Sequence, residues 1–181
     1  MNFSPFRWFS RSEVSSEGKA ALTPDPDAPV PVAKPEQVPA SSLGYVVFTQ
    51  PPMSPYAYAS HCYEKSADSV LAQELKRQGP EAFMLVAADE KSVLVQTQEY
   101  LCKLDREGIQ EISLHPVLPA KGSGMVMLFF EIAQKGQIES HDFLMCAVYS
   151  EELQEWCEKK GREVAALLNV PFQVSCPSHD C

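Results

Sequence analysis

Residues 174–181 read VSCPSHDC, and Cys176, His179, Asp180 and Cys181 are all types that bind metals. A structural zinc site needs four ligands in a tetrahedron, usually two from each of two separate pairs. This C-x-x-H-x-C offers three thiol or imidazole groups broken by Pro177, and no C-x-x-C elsewhere completes the set. The pattern predicts a flexible tail over 172–181 and no metal site.

Thiol catalysis is the second chemistry the residue types allow. Cys62 follows His61 directly, and such neighbours cannot readily hydrogen-bond each other. A working pair needs His115 or His141 from across the fold, with Asp142 to orient the imidazole. His141 and Asp142 are adjacent on a predicted strand and point to opposite faces, which weakens that trio. A thiol-dependent enzyme using Cys62 with a distant His therefore stays an alternative. KGSG (121–124) is too short, and too far from a helix start, to cradle phosphate. No cofactor is implied.

The third feature is apolar. The segment MNFSPFRWFSR packs Phe3, Phe6, Trp8 and Phe9 beside two arginines and contains no acid. Aromatic side chains lose free energy when left in water, so these four are predicted to bind something. A groove on a protein partner, a membrane interface and the chain's own domain are the three candidates.

The elements that must carry these groups divide into an arm and a domain. Seven of the 15 prolines fall before position 40, and TPDPDAPVPVAKPEQVPASS has neither aromatics nor periodicity. Residues 1–42 are thus predicted to be a disordered, extended arm. A globular α+β domain is predicted over 43–171. A net charge of −9 repels phosphate backbones, so nucleic acid is not an expected partner. No apolar run approaches membrane-spanning length, and no h-region follows Arg7 and Arg11, so contact with a membrane would be peripheral. Six cysteines without a secretory signal predict reduced thiols and a cytoplasmic location.

Within the domain, GYVVFTQ (44–50) and FMLVAA (83–88) read as strands around a helix at 66–78, capped by Ser66 and ended by Gly79-Pro80. VLVQTQEYLCKL (93–104) and IQEISLH (109–115) follow as strands. MVMLFFEIA (125–133) is apolar on both faces, as in a central strand, and a turn at Gln134-Lys135-Gly136 returns it through QIESHDFLMCAV. Ser150 caps a last helix with an apolar face of Leu153, Trp156, Cys157, Val164, Leu167 and Leu168, and Asn169 and Pro171 end it. Gly161 in that face suggests close approach to a sheet.

The stretches VLVQTQEYLCKLDREGIQEISLH, FFEIAQKGQIESHDFLM and SEELQEWCEKKGREVAALL form a meander followed by one amphipathic helix. Over about residues 81–170 this order resembles the pleckstrin-homology-like superfamily, above all its small bacterial members. The resemblance implies an antiparallel, strongly curved sheet or partly open barrel with a C-terminal helix, here with one extra short helix. It also implies a scaffold for partner binding rather than catalysis. The basic loop of the family's lipid binders has no counterpart, since the first turn is Asp89-Glu90-Lys91. The expected function is a non-catalytic adaptor or assembly module whose aromatic arm engages a protein partner.

Overall fold

The computed structural model describes residues 43–50, 57–58, 64–65 and 69–179, all within one unit spanning residues 36–181. The predicted arm, with Phe3, Phe6, Trp8 and Phe9, lies outside the described residues, as do His61, Cys62, Asp180 and Cys181.

Two sheets form the framework. The first has five antiparallel strands in the order β1 (Gly44–Thr49), β4 (Ala82–Ala88), β5 (Ser92–Thr97), β6 (Tyr100–Asp105) and β3 (Glu64–Lys65). The second runs β10 (Phe172–Val174), β7 (Ile109–Leu118), β8 (Met125–Gln134), β9 (Gln137–Cys146) and β2 (Ala57–Tyr58), with β11 (Ser178–His179) also on β7. Helix α1 spans Val70–Arg77 and α2 spans Glu151–Leu168.

The α+β class holds, but the strongly curved, antiparallel sheet or partly open barrel does not. The chain changes sheet at a 3-10 turn, Arg106–Gly108, where β6 ends and β7 begins. The second sheet cannot close, because β10 takes the outer edge of β7 and β2 takes that of β9. It is also mixed, since β10 and β11 run parallel to β7.

That parallel return puts residues 172–174 and 178–179 in strands, within the stretch expected to be a flexible tail. Ser150 caps α2 by accepting from Leu153 N, and Asn169 closes it in the left-handed conformation at φ 56°. The chain then lies along β7, with Ile112 N donating to Pro171 O and Ser175 N to Leu114 O. Phe172 packs over Gly161, where an added Cβ would meet its ring at 2.4 Å and Leu128 at 3.0 Å. Gly161 thus lets helix, sheet and the last strand meet. Unpaired edge groups on β7 and an apolar Phe172 order residues 172–174, which local composition could not show.

The helix boundaries differ at the first helix. Its cap is Ser69, while Ser66 lies outside the described residues, and Ser69 Oγ donates to Gln96 Oε1 at 2.7 Å while accepting from Ala72 N. Gln96 is fully buried, and its amide donates to the Thr97 and Tyr100 carbonyls. The predicted strand 93–104 is in fact a hairpin, turned at Gln98-Glu99 where Thr97 Oγ1 accepts from Tyr100 N at 3.0 Å.

One core fills the space between the sheets and α2. Phe48, Met84 and Val95 of the first sheet meet Ile112, Leu128 and Phe130 of the second, with Leu153, Cys157 and Val164 from α2. Phe48 is fully buried, edge-on to Phe143 at 6.3 Å and to Trp156 at 6.1 Å. Trp156 itself is only half-buried. A smaller core joins Leu71 and Leu75 of α1 to Leu85 and Ala87 on the other face of the first sheet.

Candidate functional site

The strand β8 was expected to be apolar toward two covered faces. Val126, Leu128, Phe130 and Ile132 do enter the core. Alternation sends Met125, Met127, Phe129 and Glu131 to the opposite face, where all four are half-buried. Among the described residues no helix covers that face: α1 packs on the first sheet, and Gly161 of α2 meets Leu128 on the core side.

Register builds the rest of this open face. In β7, Glu111, Ser113, His115 and Val117 pair with Glu131, Phe129, Met127 and Met125. From β9, Ile138, Ser140, Asp142 and Met145 pair with Ala133, Glu131, Phe129 and Met127. The two-residue turn between β8 and β9 has Lys135 at φ 50° and Gly136 at φ 82°, the pair of positive values that fixes this register. Ile138 is 68% exposed, the most exposed large apolar side chain among the described residues.

A polar network sits at one end of the stripe. Ser113 Oγ donates to Glu131 Oε1, and Ser140 Oγ donates to Glu131 Oε2 at 2.6 Å. His115 Nε2 lies 3.1 Å from Ser113 Oγ and 3.8 Å from Glu131 Oε1, and its ring rests 4.6 Å from that of Phe129. Serine, histidine and carboxylate together invite comparison with a hydrolytic triad. That relay needs serine to give its proton to one imidazole nitrogen while the other nitrogen holds the carboxylate. Here Ser113 gives its only proton to the carboxylate, so His115 Nε2 must donate to Ser113. Both contacts use the same imidazole nitrogen, and Ser113 is 4% exposed. The network braces three strands rather than activating a nucleophile.

The other residues singled out by sequence do not converge. His141 lies 3.6 Å from Glu139, and it pairs with Phe130 while Asp142 pairs with Phe129, so the two point to opposite faces. Cys146 and Cys157 are buried with their sulfurs 4.0 Å apart. The Cys146 contact and burial push the Cys157 thiol far above its ordinary range, so it stays protonated and unreactive. Cys176 and His179 are exposed, and among the described residues no three His, Cys, Asp or Glu gather as a metal site.

A groove of about 940 Å³ is lined by Arg106, Lys91 and Lys103 together with Glu90, Asp105 and Glu107. Its charges balance, and Arg106 is occupied in holding the Asp89 and Leu168 carbonyls. It reads as a joint between the first sheet and the end of α2.

Sequence reasoning missed Ser113, Ser140 and Glu131, the last lying inside a run read as apolar on both faces. The available signal was the polar set Glu111, Ser113 and His115 at every second position of β7, opposite an apolar run that also contains Glu131. No protein-family model matches the chain, and no curated protein matches it in sequence. Among the described residues no helix is long and apolar enough to cross a membrane.

Proposed function

We propose that this chain is a non-catalytic adaptor or assembly protein that binds a protein partner across the open face of the second sheet. Its aromatic N-terminal residues Phe3, Phe6, Trp8 and Phe9 also engage a partner. One observation carries the reading: the apolar stripe Met125, Met127, Phe129 and Val117 lies on a sheet face that no described helix covers. Methionines suit such a surface, since their flexible thioethers adapt to a partner's shape. The strand-then-helix order resembles pleckstrin-homology-like domains, scaffolds that host binding more often than catalysis, and it supports the reading without a curled sheet. A cytoplasmic location belongs to the same proposal, supported by Cys146 and Cys157 remaining thiols in contact.

The test is capture of partners by the full chain, by Phe6→Ala/Trp8→Ala and by Phe129→Ser. Paired aromatic anchors contribute about 2 kcal/mol each, so the double variant should weaken association roughly a thousandfold at an unchanged melting temperature. Association by both variants equal to that of the full chain would refute the reading. Fast alkylation of Cys62 near neutral pH would favour the thiol enzyme instead.

A further inference from the structure

We infer that the open face of the second sheet receives an extended peptide segment carrying both aromatic and basic side chains. The inference rests on the binding reading above and names the chemistry of the occupant.

Shape comes first. Met125, Met127, Phe129 and Glu131 project from alternate positions of one strand, a row about 20 Å long at the usual rise per residue. That length matches about six extended residues. Val117 and Met145 flank the row from the neighbouring strands, so the floor is apolar on three strands. Thioethers beside Phe129 favour aromatic partners through sulfur–ring contacts.

Charge narrows the choice. The strands β7, β8 and β9 contain no lysine or arginine, while Glu111, Glu131 and Asp142 lie on this face. Glu111 pairs directly with Glu131 across β7 and β8. Two like charges opposite each other destabilise a sheet, and among the described residues no lysine or arginine bridges either one. The two serine hydroxyls hold the Glu131 carboxylate in place at one end of the apolar row, its side chain 13% exposed. A guanidinium or ammonium laid between the two carboxylates would relieve the repulsion, and the apolar row would take the aromatic neighbours.

Fluorescence anisotropy with a fluorescein-labelled octapeptide RFRFRFRF, added to the full chain, tests this, and EFEFEFEF is the control. The arginine peptide is expected to bind and the glutamate peptide is not. Glu111→Lys is expected to weaken binding roughly tenfold, as loss of one charge contact would, and Met127→Asn similarly without any change in net charge. Glu152→Lys makes the same charge change on the exposed side of α2 and is expected to stay within about twofold. Failure of the arginine peptide to bind, or equal weakening by Glu111→Lys and Glu152→Lys, would overturn the inference. If it fails while Phe129→Ser still loses the captured partner, the occupant chemistry is wrong and the binding reading stands.

Discussion

The two sheets of this domain treat their faces differently. The first has Leu85 and Ala87 under α1 on one side and Met84 and Val86 in the shared core on the other. Four of its central residues, Met84 to Ala87, are fully buried in succession. In the second sheet, burial alternates strictly along β8 from Val126 to Ile132. Yet the sequences of β4 and β8 are similarly apolar. In one case the domain supplies a second cover, and in the other the apolar side chains of the second face stay half-exposed. A partner on the half-exposed face, as proposed, would take up the apolar area that no described helix covers.

Phe48→Ala empties a fully buried site touched by both sheets and α2, and should cost about 3–5 kcal/mol in chemical denaturation. A loss below about 1 kcal/mol would mean that the sheets do not share a core. Gly161→Ala should cost about 1–3 kcal/mol, because the new methyl collides with Phe172 and Leu128, and this exceeds the gain in helix propensity of about 1 kcal/mol. Amide exchange at Ser175 should quicken in the same variant as the last strand loosens. An unchanged protein would separate β10 from α2.

A pH effect belongs to the covered sheet. Hydrogen bonds from Gln78 and then Tyr45 hold the Glu74 carboxyl below its ordinary range, with Arg77 adding a smaller push the same way. The contribution is therefore present above the ordinary glutamate pKa and lost as pH falls through the lowered one. Tyr45→Phe should move the Glu74 carboxyl resonance midpoint upward in an NMR titration, and an unmoved midpoint would break the assignment. The smallest effect is expected on the open face: Ile138→Ser should change stability by no more than about 0.5 kcal/mol. A larger loss would show that the face is covered within the chain.

Much of the fold was legible where local chemistry decides it. Ser150 and Asn169 bounded α2 correctly, and Gly136 marked the hairpin. Most of what escaped depended on partners far along the chain. Ser66 and Ser69 are equal as caps in sequence, and only the buried Gln96 selects Ser69. The hairpin within 93–104 rests on the Thr97 hydroxyl, a weaker signal than the β-rich residues around it. The parallel addition of β10 depends on the bare edge of β7 and on Gly161, which the sequence marked as a close contact without naming Phe172. The resemblance implied one curled sheet, whereas the crossing at Arg106–Gly108 separates two. The candidate site was half legible: the apolar run of β8 was plain, but which of its faces would lack a cover is a property of the packed domain.

Methionine methyl NMR on the full chain tests the central claim most directly, because four methionines report on the two kinds of face. Met84 is fully buried between the first sheet and the core, while Met125, Met127 and Met145 belong to the open face. On addition of the captured partner, the Met125, Met127 and Met145 methyl resonances are expected to shift or broaden while Met84 stays in place. Binding that leaves those three unmoved would contradict the assignment of the open face as the docking surface.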